Sequence, residues 1–254
     1  MRLRIIPCLL LNKNGLVKSV RFKDYKYVGD PINAVKIFND KEADEIAIVD
    51  IGATAEKREP DINLIREIVS EAFMPVAYGG GLTRIGQLQE LFYIGVEKVI
   101  INKAAHTNPD LIREASELFG SQSVIVSIDV KKHMLKGYRV YTDNGNVDAG
   151  VDPVTFAKKM ENLGAGEILL NSIERDGTYK GYDEDLIYKV SHAINIPVIA
   201  LGGAGSLNDF AIAKQKGASA VSAGSMFVFK RPHQAVLISY PSQLDIKQHL
   251  LNRV

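Results

Sequence analysis

Three clusters of small residues follow apolar runs in this chain: Gly79-Gly80-Gly81, Gly202-Gly203-Ala204-Gly205 and Ser222-Ala223-Gly224-Ser225. Glycines in such places let backbone N–H groups approach a phosphate closely, and the start of a following helix adds favourable partial charge. Tight turns alone would use the same residues. Asn102 and Lys103 occupy the places that Gly224 and Ser225 hold later in the chain. Two facing anion sites would suit a ligand with phosphate or similar groups at both ends, and one occupied site would suit a single such group. Asp50 and Asp129 each end an apolar run, where a carboxylate seldom sits without a purpose. Such a group is either a general acid or base or the partner of an internal hydrogen bond or of an ion pair with Lys18. Asn171, Ser172 and the Glu174-Arg-Asp-Gly-Thr178 turn, with Asp176 and Gly177, could hydrogen-bond a sugar or a phosphate. Turn formation explains Asp176-Gly177 equally well.

A second set lies at the other ends of the apolar runs. Arg4, Glu45, Lys98 and Glu167 precede or open the first, second, fourth and sixth runs, so they are expected to ring one mouth of the fold with alternating charge. A bottom layer of ion pairs that closes the fold is the plain structural reading. His106, His133, His192, His233 and His249 show no ligand spacing and Cys8 is the only cysteine, so neither a metal site nor a disulfide framework is expected. No cofactor is implied. A formal net charge of +1 gives no electrostatic surplus for a nucleic-acid or membrane partner. The apolar run Ile5 to Leu11 contains Pro7 and ends at Asn12, too short for a signal peptide, and the composition points to the reducing cytoplasm.

The elements that must hold these residues follow from periodicity. Short β-branched runs predict strands near 4–11, 46–51, 75–79, 98–102, 123–129, 167–172, 197–201 and 219–224. Helical patterns lie between them: Pro31 to Ala43, Asp61 to Phe73, Ile85 to Ile94, Pro109 to Phe119, Pro153 to Leu163, Glu184 to Ala193 and Asn208 to Lys216, with a last one from Gln243 to Leu251. Asp30, Asn108 and Asp152 precede first-turn prolines as expected N-caps. An internal repeat at an offset of 122 residues aligns Glu45 with Glu167, Gly80-Gly81 with Gly202-Gly203, and Gly95 with Gly217. Four βα units repeated once predict a single α/β domain over 1–254, a (β/α)8 TIM barrel with a two-fold half-barrel repeat. The stretch 131–150 reads as a hairpin-like excursion. A doubly wound sheet is the competing fold, but it does not predict matched halves.

The chain resembles the cyclase subunit of imidazole glycerol phosphate synthase, the HisF type, across essentially its whole length. The likeness rests on Ile5-Ile-Pro-Cys-Leu9, Gly29-Asp-Pro31, Ala43-Asp-Glu45, Asp50-Ile51, Gly79-Gly-Gly81, Phe119-Gly-Ser-Gln122, Asp129, Gly164-Ala-Gly-Glu-Ile-Leu-Leu170, Arg175-Asp-Gly-Thr178 and Gly202-Gly203. It implies a glutaminase subunit on the N-terminal face, an ammonia gate at Arg4, Glu45, Lys98 and Glu167, and phosphate-binding loops at the glycine clusters with Asn102, Gly177 and Ser225. It also implies two catalytic aspartates. Asp129 is one, but Leu10 stands where the other belongs, and Lys103 and Asn171 replace two threonines of the family pattern. This departure resembles a branch associated with amidation of surface-polysaccharide sugars, in which the barrel supplies ammonia to a separate sugar amidotransferase. An ammonia-conducting barrel of that branch is the first expectation. The second is the histidine-pathway cyclase, which converts phosphoribulosyl-formimino-AICAR phosphate and ammonia to imidazole glycerol phosphate and AICAR. The third is a non-catalytic scaffold that activates a glutaminase.

Overall fold

The computed structural model describes residues 3–250. Eight strands of these residues close a parallel barrel: β1 (Arg4–Asn12), β2 (Ile46–Asp50), β3 (Val76–Gly79), β4 (Lys98–Ile101), β5 (Val124–His133), β6 (Glu167–Ser172), β7 (Val198–Leu201) and β8 (Ala220–Ala223). Closure is made where β8 pairs with β1, Arg4 opposite Ala220 and Pro7 opposite Ala223. Alternation along each strand splits its apolar residues between two layers. On β1, Ile5, Leu9 and Leu11 join the layer beneath the helices, while Ile6, Cys8 and Leu10 join the barrel interior. This is the expected (β/α)8 barrel.

Helices cover the outside: Pro31–Asp40, Ile62–Ser70, Ile85–Tyr93, Asp110–Phe119, Pro153–Asn162, Glu184–Ser191, Leu207–Gln215 and Gln243–Leu250. Leu251, in the expected last helix, lies outside the described residues. Asp30 and Asp152 cap their helices, Asp30 accepting from the Asn33 N–H at 2.8 Å and Asp152 from Val154 and Thr155 at 3.0 Å. Asn108 does not cap the next one. A short helix over Lys103–Thr107 precedes it; the Asn108 N–H donates to the Ala104 carbonyl and its own carbonyl accepts from the Leu111 N–H, so Asn108 joins the two helices through its backbone rather than its side chain. No described helix is long and apolar enough to cross a membrane.

The half-barrel repeat extends to the backbone. Asn102 and Gly224 share one conformation, φ −112° and ψ −86° against φ −110° and ψ −73°, and each starts a short helix, Lys103–Thr107 and Ser225–Val228. A hairpin rises from each half. The expected one runs from β5 into Gly137–Thr142; its mate, Gly15–Val20 with Lys23–Gly29, takes the place of the loop expected after β1. Each hairpin carries two successive residues with positive φ: Arg21 (54°) and Phe22 (63°), then Asp143 (52°) and Asn144 (54°). Both reach across the mouth. The Arg21 N–H donates to the Asp176 carbonyl at 3.0 Å, and Asn144 Nδ2 donates to the Ile51 carbonyl at 3.0 Å.

Gly80 shows how tightly the glycine clusters are built in. Its φ is +126°, and a Cβ there would lie 2.5 Å from the Asp50 carbonyl oxygen. Gly80→Ala is therefore expected to cost on the order of 2 kcal/mol or more in backbone strain and overlap. Urea unfolding checks this, and an unchanged midpoint would show that the loop relaxes freely.

Candidate active site and charged ring

Arg4 and Lys98 open β1 and β4, Glu167 opens β6 and Glu45 directly precedes β2, so the barrel register sets all four at one level. They form a closed ring of alternating charge. Arg4 Nη1 donates to Glu45 Oε1 and Nη2 to Glu167 Oε2, both at 2.7 Å. Lys98 Nζ reaches Glu167 Oε1 at 2.7 Å and Glu45 Oε2 at 3.2 Å. Burial works against the charge on Glu167, but hydrogen bonds from Arg4 and Lys98 prevail and hold its carboxyl below the usual range. Burial likewise pulls the Arg4 guanidinium down, and the two glutamates more than offset it. Two cations and two carboxylates leave the ring neutral as a whole.

Above the ring the interior is apolar. Ala220, Ile6, Cys8, Ala47 and Ala77 come from the neighbouring strands β8, β1, β2 and β3, and Ile100, Ile125, Leu169 and Ile199 from β4 to β7, with Leu10, Val49 and Leu201 packed against them. The Cys8 thiol is pushed up to about 12 by burial, so it stays protonated and apolar in character. The alanines lie on the β8 to β3 arc, where Ile6 supplies the bulk. The strand ends open into a cavity of about 440 Å³ lined by, among others, Leu10, Asp50, Gly80, Gly81, Asn102, Lys103, Asp129 and Asn171.

Asp129 stands in this cavity with both carboxylate oxygens held by amides: Asn171 Nδ2 donates to Oδ1 at 3.1 Å and Asn102 Nδ2 to Oδ2 at 3.0 Å. Burial raises its pKa to about 7, against the two amides, which favour the anion. A carboxyl poised near neutrality is suited to take or give a proton. Leu10 occupies the corresponding place on β1 and contributes only hydrocarbon. The ionisable residues around Asp129 are arranged differently from the sequence expectation. Lys18 does not pair with Asp50. It lies on a strand and its Nζ meets Asp176 Oδ1 at 2.8 Å, both residues buried, while Ser19 Oγ takes the other Asp176 oxygen. Asp50 organises its own loop, accepting from the Gly52 and Ala53 N–H groups at 3.0 Å and from Arg58 Nη1 at 3.2 Å. Arg58 had no signal in the sequence.

Asp176, Gly177, Gly202, Gly203, Gly224 and Ser225 gather around a small recess on the β7–β8 side of the mouth. Gly80, Gly81, Asn102 and Lys103 gather on the β3–β4 side, where Lys103 Nζ is paired with Asp143 Oδ1 at 2.6 Å. The sequence picked out Lys103 but not this partner, which the hairpin delivers. Ser172 and Lys18 line neither space; the Ser172 carbonyl accepts from the Arg175 and Asp176 N–H groups to hold the turn. The strand alternation that turns Asn171 inward turns Ser172 outward.

The raised pKa of Asp129 sets a pH dependence. Below about 4 the carboxyl is protonated in folded and unfolded chains alike; between an unfolded value near 3.8 and about 7, only the folded chain keeps the proton. Its contribution to stability therefore falls as pH rises through that window and is level above about 7, at roughly 1.4 kcal/mol for each pH unit. Asp129→Asn should remove this slope. The unfolding free energy of the variant minus that of the parent is expected to grow between pH 4 and 7, and parallel curves would contradict the burial of this carboxylate.

The described geometry can be set beside known proteins. Residues 4–232 match the model of the histidine biosynthesis protein family. A Pseudomonas aeruginosa protein named "Putative imidazole glycerol phosphate synthase subunit hisF2" is 49% identical over 248 residues, covering 96% of this chain and 99% of its own. A Clostridium botulinum protein named "Imidazole glycerol phosphate synthase subunit HisF" is 44% identical over 229 residues, covering 89% and 90% of the two chains. A charged ring at one mouth, a poised carboxylate at the other and this extent of likeness agree: the chain belongs to the histidine biosynthesis protein family, among the HisF-type subunits of imidazole glycerol phosphate synthase.

Proposed function

We propose that this barrel, as one domain, takes ammonia in through the Arg4–Glu45–Lys98–Glu167 ring from a glutaminase seated on the N-terminal face and delivers it to an acceptor at the C-terminal mouth. The observation that carries the reading is the ring itself, four buried or half-buried charges satisfied by one another around the barrel axis. Neutral ammonia can pass such a constriction without upsetting its charge balance, whereas ammonium would meet the full cost of an unpaired buried charge. The acceptor carries an anionic or phosphorylated group, held by backbone donors of the Gly202–Gly203 and Gly224–Ser225 loops. Asp129 handles the proton.

The names of the relatives support the histidine-pathway nucleotide as that acceptor. They speak of imidazole glycerol phosphate synthase and not of surface polysaccharide. One observation of this chain favours the second reading, transfer of ammonia to a sugar amidotransferase: Leu10 removes one of two proton-transfer groups, so the barrel's own ring closure is slow. A third reading, a scaffold that only activates a glutaminase, leaves the poised Asp129 unexplained.

Ammonium salt with the histidine-pathway ribonucleotide and the isolated barrel decides between acceptors. Loss of a general acid or base is worth roughly 10²–10⁴ in rate, so turnover is expected to fall short of an ordinary family member by that much, with partial recovery on Leu10→Asp. Turnover at the ordinary level would end the sugar reading. For the ammonia route, Lys98→Ala is expected to depress glutamine-driven product formation at least tenfold while ammonium-driven formation stays within about threefold. Equal losses in both assays together with a lowered unfolding midpoint would make the ring purely structural.

A further inference from the structure

Asn171 leaves something undone in an otherwise well-paired mouth. It is 6% exposed on β6, and its side-chain oxygen is sealed from bulk solvent with no hydrogen-bond partner. With Asp129 ionised the amide does not turn round to improve matters. Its Nδ2 is committed to Asp129 Oδ1 at 3.1 Å, and a carboxylate oxygen in that position selects the NH₂ end. An unpaired acceptor in such a place is costly and calls for an explanation. The neighbouring backbone keeps the space beside it clear: at Gly202, φ +92°, a Cβ would lie 2.8 Å from Asn171 Oδ1. Whatever answers this oxygen is a small N–H or O–H donor standing in the cavity that Asn171 lines.

We propose that Asn171 is the ammonia-binding residue of the mouth, its Oδ1 accepting one N–H of an ammonia molecule that has come up past Leu169 and Ile199. The assignment rests on the ammonia route proposed above. Ammonia fits the requirement: one heavy atom, three donors, and a lone pair left free for the acceptor once an N–H is engaged. Held there it lies beside Asp129, since Asn171 and Asp129 are register partners on β6 and β5. Leu10, at the corresponding place on β1, offers no acceptor, so ammonia is retained on the Asp129 side alone. Asn102 makes the comparison sharp. It too donates to Asp129, at 3.0 Å, and its second Nδ2 contact is the Ser127 carbonyl at 3.0 Å, but its oxygen is not buried without a partner.

Two measurements test this. The side-chain amide resonances of Asn171, followed by NMR in the full chain, should shift saturably with ammonium chloride and not with potassium chloride; no ammonium-specific shift overturns the proposal. In whichever ammonium-driven assay gives product, Asn171→Leu should raise the half-saturating ammonium concentration about tenfold or more, while Asn102→Leu, which also strips Asp129 of a donor, should raise it less than about threefold and lower chiefly the maximal rate. Asn171→Thr, whose hydroxyl both donates and accepts, should restore most of the ammonium affinity. Equal rises in the two leucine variants would mean that Asn171 acts only through Asp129, which also overturns the proposal. The NMR titration needs neither a variant nor turnover. An ammonium-specific shift without product formation would therefore uphold this site while the proposed function fails.

Discussion

A closed parallel barrel sends alternate side chains of every strand to its axis, and those side chains must fill it. That constraint dictates where chemistry can be. Along β1 the inward positions are Arg4, Ile6, Cys8 and Leu10; along β5 they are Ile125, Ser127 and Asp129; along β6 they are Glu167, Leu169 and Asn171. The middle layers are spent on packing. Polar function is confined to the first and last layers, so a ring at the bottom and a pocket at the top are the two places this fold leaves open.

The two layers solve opposite electrostatic problems. At the bottom, four charges desolvated together are viable because each carboxylate meets both cations, and Glu167 is held ionised by them. At the top, Asp129 meets amides only. Amides stabilise a carboxylate less than a cation does, so burial prevails and the carboxyl stays near the neutral range, about 7. Cations do lie close by, but each is engaged elsewhere: Lys18 with Asp176, Arg58 with Asp50, Lys103 with Asp143. With these bases paired, Asp129 keeps its carboxyl near neutrality. Had Lys18 been free to approach it, the carboxyl would be driven well below neutrality and would lose its capacity to hold a proton.

Much of this was legible in the sequence because it follows from periodicity. Eight apolar runs gave the strands, the repeat gave the closure, and the positions just before or at the strand starts gave the ring as a set. What was not legible depends on long-range partners. Lys18 was expected near Asp50 because both flank strand ends, yet a hairpin strand carries it to Asp176 instead. Asn14-Gly15 marks the entry to that hairpin, but its tip, Arg21-Phe22, takes positive φ without the glycine or asparagine that announces such turns, whereas Asp143-Asn144-Gly145 announces its mate openly. Arg58 lies in a loop, where no pattern marks it. Ser172 was grouped with Asn171 by adjacency, although the two-residue period of a strand puts neighbours on opposite faces.

The repeat also shows where the halves have ceased to be equivalent. Their backbones still agree closely at Asn102 and Gly224, so the geometric template of two facing sites persists. Their side chains do not. The β7–β8 side keeps glycine and serine, with donors supplied by backbone, which substitution elsewhere leaves intact. The β3–β4 side carries Lys103, and the Asp143 that the hairpin places 2.6 Å away cancels its charge. A second dianion there would have to displace a carboxylate already paired, at the cost of both desolvation and repulsion. Leu10 belongs to the same half as Lys103, and Asp129 to the other. Asp129 and the β7–β8 recess thus share one half-barrel and Leu10 and Lys103 the other, while each side of the mouth carries its own lysine–aspartate pair, Lys18–Asp176 and Lys103–Asp143.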